Sequence, residues 1–285
     1  MLFLRSAYTN QTSPHGGNTY WTLEHTSTIN ASNIMRLINV NTLEIEEFVG
    51  TGFIPPYAIL SHTWETEEVT FQDWRDMSRA STKGGYTKIC LACHQAIKAD
   101  LEYLWVDTNC IDKTSSAELS EAINSMFAWY RNAARCYVYL PDTPHTAARL
   151  NSKGQVDKDD PFHRSKWFTR GWTLQELLAP IDLVFFSSDW VRIGTTKIDL
   201  KTTLSQITGV EARFLTGILD LSLASVAKRM SWISKRATTR LEDIAYCMLG
   251  IFDINMPLLY GEGSRAFGRL QEEILKNNDN QSLFC

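Results

Sequence analysis

From residue 57 onward the apolar positions follow two different periods, and the switches between them predict the elements. "YAIL" (57–60), "YLWV" (103–106), "CYVYL" (136–140) and "IDLVFF" (181–186) are short, nearly unbroken apolar runs. That is the pattern of strands buried on both faces. Between the first two lies "TKICLACHQAIKAD" (87–100), with Ile89, Cys93, Ala96 and Ile97 on one helical face. Between the second and third, Ser115 and Glu118 have capping-box spacing, ahead of Leu119, Ala122, Ile123, Met126, Phe127 and Tyr130 at helical period. "EVTFQDW" (68–74) reads as an additional edge strand. Strands alternating with helices imply a parallel sheet covered on both faces.

The flanks read differently. Residues 1–34 are rich in Ser, Thr, Asn and Gly without apolar periodicity, which predicts a loose N-terminal extension. The ordered fold is expected to begin at "MRLINVNTLEIEEFVG", where Met35 is a candidate start. After residue 195 the strand signal fades. "LASVAKRMSWISKR", "RLEDIAYCMLGIF" and "SRAFGRLQEEILK" have helical spacing. The predicted division is an extension over 1–34, an α/β core over 35–194 and a helical region over 195–285.

Composition narrows the classes. Of the 285 residues 44% are hydrophobic and 21% charged, an ordinary balance for a globular chain with a sizeable core. A net charge of -4 leaves no footprint for nucleic acid or for an anionic membrane. No apolar run approaches the ~20 residues of a membrane span, and the opening "MLFLRSAYTNQ" fails as a secretory signal. Six dispersed Cys read as free thiols of a reducing, cytoplasmic compartment. "CLACH" (90–94) matches a haem-attachment pattern, but its Cys pair lies on an amphipathic helix and no export signal is present. A second metal-ligand pair at useful spacing is missing, so no metal is expected.

In open parallel sheets ligands bind outside the carboxyl ends of the strands. Ser61, His62 and Trp64 directly follow the first predicted strand, and Asp107, Asn109 and Cys110 follow the second, so a cleft is expected there. The segment "SKWFTRGWTLQELLAP" (165–180) adds a carboxylate, Glu176, to a run of aromatics and leucines. On one continuous helix, Trp167, Gly171, Leu174 and Leu178 share a core stripe, while Phe168, Trp172 and Glu176 form a second face suited to a cleft wall. Two bland readings stand beside this one. Thr173 and Glu176 also have capping-box spacing, though a helix starting there reaches only about six residues before Pro180. Alternatively Glu176 is solvated and Trp172 packs on the C-terminal helices. Cys110 with His62 would make a thiol nucleophile and its base, or a buried thiol and a loop hydrogen-bonder. "YGEGSRAFG" (260–268) lacks the Lys-Ser/Thr of a phosphate loop and reads as a helix cap.

"YAILSHTW", "YLWVDTNCID", "AINSMFAWYRNAARCYVYL" and "WFTRGWTLQELLAP" together resemble the ordered signature blocks of the HET (heterokaryon incompatibility) domain of filamentous fungi. "VAKRMSWISKRATTRLEDIAYCMLGIFDINMPLLYGEG" is similar to the region that follows this domain in many such proteins, so the resemblance covers roughly residues 35–285. It implies an effector of allorecognition and regulated cell death, partnered by other incompatibility or sensor proteins and working as a homo-oligomer. Such domains often precede nucleotide-binding and repeat domains. The sequence closes at "NNDNQSLFC" without them, which leaves the trigger open between a separate sensor, a truncated gene and a degenerate copy. The HET domain is in turn remotely similar to TIR domains, which implies a TIR/flavodoxin-like parallel sheet flanked by helices, with a C-terminal helical extension. Some TIR domains cleave NAD at the nicotinamide glycosidic bond through a Glu in a "W-C-x-x-E-L"-like helix. "W-T-L-Q-E-L" (172–177) matches at Trp172, Glu176 and Leu177, with Thr173 where Cys is common. The resemblance implies Glu176 as the catalytic carboxylate and Ser61, His62, Trp64, Asp107, Arg170 and Trp172 as substrate contacts, with NAD as substrate and no cofactor. The alternative is a non-catalytic, self-associating interaction module.

Overall fold

A computed structural model describes residues 34–50, 52–147 and 155–277. Seven strands form one sheet: β1 (Ile34–Asn39), β2 (Ile45–Val49), β3 (Tyr57–His62), β4 (Tyr103–Trp105), β5 (Arg135–Tyr139), β6 (Leu183–Phe186) and β7 (Arg192–Thr195). Their spatial order is β2-β1-β4-β3-β5-β6-β7. The four inner strands run parallel, with Ile59 opposite both Trp105 and Cys136 and Val138 opposite Phe185. Both flanks are antiparallel. The sheet is therefore mixed, a correction to the all-parallel expectation. The four apolar runs are the four parallel strands, and the strands that reverse direction are the ones with half-polar sequences.

The first antiparallel pair went unassigned in the sequence because its alternation is broken by charges. Arg36 on β1 is satisfied by Glu47 on β2 at 2.8 Å and by Glu118. The turn between them is made by Asn39, whose Oδ1 accepts from the backbone N–H of Asn41 and Thr42, and by Leu43 at φ 61°. The strand begins at Ile34, the last residue of the predicted extension; residues 1–33 lie outside the described residues.

Crossovers carry the helices. Between β3 and β4 come α1 (Phe71–Trp74), α2 (Met77–Ala80) and α3 (Gly84–Ile97). Between β4 and β5 come α4 (Asp107–Cys110) and α5 (Ser116–Asn132), and between β5 and β6 comes α6 (Thr173–Leu178). The edge strand expected over 68–74 is a helical turn instead. Thr70 caps it, accepting from the Asp73 N–H, while the Asp73 carboxylate accepts from the Thr70 N–H at 3.0 Å. The alternation of Val69 and Phe71 concealed a T-x-x-D capping box. Half of the box predicted for α5 forms: Ser115 accepts from the Glu118 N–H, while Glu118 turns to the Asp112 N–H.

After β7 the chain is helical: α7 (Lys201–Thr208), α8 (Ala212–Leu215), α9 (Val226–Ile233), α10 (Asp243–Tyr246), α11 (Leu249–Phe252) and α12 (Arg265–Asn277). These helices share the core of the sheet layer. Gly250 of α11 lies so close to α5 that a Cβ there would stand 2.0 Å from the Phe127 Cβ. Asn124 of α5 brackets Met256, accepting from its N–H and donating to its carbonyl. Trp105, Trp167, Trp232, Tyr130 and Phe185 are wholly buried, so one core spans both regions.

Candidate functional site

The carboxyl end of β3 delivers Ser61 and His62 into the protein, not onto its surface, because all six β3 positions are buried. Ser61 Oγ donates to Glu176 Oε2 at 2.5 Å and accepts from Trp167 Nε1 at 2.8 Å. Residues distant in sequence thus meet in one chain of bonds, Trp167 to Ser61 to Glu176. Burial pushes the Glu176 carboxyl up to about 8, against the Ser61 bond that favours its charged form; Asp107 adds to the rise and Arg170 opposes it. At neutral pH this is largely a protonated acid.

The 165–180 segment is not one helix. Lys166–Thr169 is a 3-10 turn, and α6 starts at Thr173, so it has the six-residue length that the capping-box reading required. The box itself does not form. Thr173 Oγ1 donates to the carbonyls of Trp167 and Arg170 and accepts from Arg236 Nη1 at 2.8 Å. The break occurs because the chain at Arg170–Gly171 pairs with the C-terminal region: Gly171 N–H donates to the Ala237 carbonyl at 2.9 Å and Ala237 N–H to the Thr169 carbonyl at 2.7 Å. Every residue of α6 is buried, Glu176 included. Its second face is therefore no cleft wall. Trp172 is half-buried and packs on the core. That matches the packing half of the second alternative, while Glu176 is buried and not solvated.

A second polar cluster sits at the end of β4. Asp107 accepts from Trp64 Nε1 at 3.0 Å and Lys113 Nζ at 3.2 Å and meets His62 Nε2 at 3.1 Å. Burial would raise its pKa, but Lys113 and His62 outweigh burial and hold it well below the usual carboxylate range. Glu68 stands 3.8 Å from His62 Nδ1 and is paired by Lys88. Lys113 also lies 3.7 Å from the centre of the Trp64 ring, which fixes that ring in place. Cys110 is buried beside this cluster. Its Sγ accepts from the Val106 N–H, and burial pushes the thiol up to about 12, which leaves it unfit as a nucleophile. Neither Cys90 nor Cys93 joins a group of potential metal ligands; among the described residues no such group occurs.

Over these clusters opens a cleft of about 430 Å³. Thr63, Trp64 and Glu65 line it after β3, Pro141 and Asp142 after β5, Lys166, Thr169 and Arg170 from the 3-10 turn, and Ala237 to Thr239 from the C-terminal region. It lies at the carboxyl ends of parallel strands, where a ligand site was expected. Of the seven residues that the resemblance implies for the site, Trp64 and Arg170 line this cleft. Ser61, His62 and Glu176 are buried, Asp107 anchors Trp64, and Trp172 belongs to the core. Lys166 and the 237–239 segment were missed. "SKWFTRGW" contains Lys166 beside Arg170, a signal masked by the assumption that the segment is one helix. No local pattern marks 237–239, because only the fold brings it there.

Residues 57–156 match the heterokaryon incompatibility protein (HET) family. The chain is also 49% identical over 231 residues to the vegetative incompatibility protein HET-E-1 of Podospora anserina. That alignment covers 80% of this chain and 17% of the relative, so the chain spans a small part of the curated protein it matches. No solved structure matches. Among the described residues no helix is long and apolar enough to cross a membrane.

Proposed function

We propose, on the premise that this chain carries a heterokaryon incompatibility (HET) domain, that it is a cytoplasmic effector of fungal incompatibility and regulated cell death whose working site is the strand-end cleft. The finer reading is a TIR-like, flavodoxin-like fold that cleaves NAD at the nicotinamide glycosidic bond, in an assembled state triggered by a partner incompatibility or sensor protein. The observation that carries it is Glu176, a buried carboxyl tethered by Ser61 and coupled electrostatically to Arg170 of the cleft. Buried acids with strongly shifted pKa values next to a cleft are characteristic of active sites.

The chemistry suits a carboxylate. The C1′–N bond of the ribose breaks, its electron pair leaves with nicotinamide as a neutral base, and the ribose becomes oxocarbenium-like. Glu176 in its charged form stabilises that cation, and water then bonds to C1′ and passes its proton to the Glu176 carboxylate. The positive ring of the substrate favours the ionised carboxylate. Glu176 does not line the cleft, so this reaction requires the Arg170–Trp172 turn to move aside when ligand binds.

The same burial favours a second reading, a non-catalytic self-associating module in which Glu176 only completes the core. Glu176→Gln separates them, because the amide oxygen still accepts from Ser61. Wild type and variant are induced in a fungal host at matched protein levels, and NAD is followed before death. Loss of NAD with wild type alone supports the glycohydrolase. Equal killing by both, with NAD intact, removes that reading and leaves the interaction module.

A further inference from the structure

The two ends of the sheet differ in what covers them. At one end β7 is closed by its own chain. The Asp199 carboxylate accepts from the Thr195 N–H at 2.9 Å, and a Cβ on Gly194 would stand 2.9 Å from Asp199 Cβ, so the turn after β7 lies directly on the strand. At the other end β2 has β1 as its one neighbour. The hairpin ladder fixes which groups it leaves open. Asn39 N–H donates to the Glu44 carbonyl, so Leu37–Glu46 and Met35–Phe48 are the hydrogen-bonded pairs, and Ile45, Glu47 and Val49 turn their N–H and C=O away from β1. Among the described residues nothing takes up these outward groups. An open row of this kind is a template for a further strand.

The side chains along the edge limit what that strand can be. At its end Val49 is 60% exposed and faces Ile34, exposed as well, and the chain continues into Phe53, 84% exposed. This end is apolar. The rest is acidic: Glu44 and Glu47 are exposed, and Glu46 accepts from the Tyr103 hydroxyl at 2.9 Å. Arg36 bonds to Glu47 Oε1 and is shared with Glu118, which leaves Glu47 Oε2 for a further cation. That charge argues against a second copy of this chain. The antiparallel register that would use all three open residues sets Glu47 against Glu47 and Phe48 against Glu46, a like-charge pair and an apolar–charged pair.

We propose that the β2 edge binds an extended segment of a partner protein as an added strand, with a central Lys or Arg against Glu47 and apolar residues two positions to either side against Ile45 and Val49. Main-chain bonds to Ile45, Glu47 and Val49 hold the segment, and its alternate side chains decide which segment is taken. β1 and β4 stand between this edge and β3, so the surface is separate from the strand-end cleft and does not depend on what that cleft holds.

The test is fluorescence anisotropy of the full chain with a labelled, end-capped peptide, Thr-Val-Thr-Lys-Thr-Val-Thr, and with the same peptide carrying Glu in place of Lys. The Lys peptide is expected to bind with a Kd of about 10–100 μM, as suits one short strand, and the Glu peptide about tenfold or more weakly. Val49→Pro should weaken binding by about tenfold or more at nearly unchanged melting temperature, because the N–H that proline removes is not part of the β1 ladder. Glu47→Gln, which leaves the backbone as it is, should bring the two peptides to within about threefold of each other. No change in anisotropy at roughly 0.5 mM chain, or equal binding by wild type and Val49→Pro, overturns the site. A preference for Lys that survives Glu47→Gln overturns the role of Glu47. A free chain that sediments as a dimer, and as a monomer with Val49→Pro, would show that a second copy takes the edge and overturns the partner strand.

Discussion

Glu176 was conspicuous in the sequence because a carboxylate in a run of Trp and Leu requires a reason, and its partner explains it. The Oγ of Ser61 reaches it from β3 at 2.5 Å. The direction in which it points was not legible, since that depended on where α6 begins. The pKa of about 8 yields a prediction with a definite sign. A carboxyl whose folded pKa is raised keeps its proton in the folded state while the unfolded chain has released it. Stability is then lost as pH rises from the ordinary Glu range near 4.5 towards 8. Glu176→Gln removes that loss. Urea unfolding of both proteins between pH 5 and 8 should show wild type declining relative to the variant, by roughly 1.4 kcal/mol for each pH unit within the window. A difference between the two that is flat with pH would mean that Glu176 is already ionised, and with it would fall the picture of a sealed acid.

At the scale of elements, unbroken apolar runs identified the four parallel strands, and helical period identified α3, α5 and α12. Three things misled: Arg36 and the Asn39 turn hid β1 and β2, a capping box hid α1, and backbone pairing with Ala237 broke the helix expected over 165–180. Each is a tertiary or local polar interaction that overrides apolar period. Glycine marks two of the element contacts. A Cβ on Gly171 would lie 2.4 Å from Thr238 Cγ2, and one on Gly250 would lie 2.0 Å from Phe127 Cβ. Gly250→Ala should lower the melting temperature strongly, with a cost of about 1–3 kcal/mol or more, because the side chain it meets is itself fixed in the core. Gly171→Ala should cost less in a Thr238→Ser background, where the offending methyl is gone. A double-mutant cycle by denaturant unfolding measures that coupling, and additivity would show that the bridge between 169–171 and 237 yields without resistance.

For the molecule as a whole, the division into an α/β core and a helical region follows the change of pattern in the sequence but not the distribution of contacts. Buried Arg236, whose pKa is lowered to about 10 by desolvation, donates to the Arg170 carbonyl and to Thr173. Asn124 ties α5 to Met256, Arg229 donates to the Ile251 carbonyl, and α11 covers Phe127. Removing residues 196–277 would strip these partners from α5 and α6, leaving carbonyls and apolar side chains open to water. The expected behaviour is one cooperative unfolding transition for residues 34–277, seen alike by far-UV and near-UV circular dichroism. A chain ending at Thr195 should keep helical far-UV signal, lose near-UV signal and bind a hydrophobic dye, as a partly collapsed state does. The cleft would go with it, since Ala237 to Thr239 form one of its walls. A truncated chain that melts cooperatively and keeps its near-UV signal would show that the helical region is a separate domain resting on a complete one.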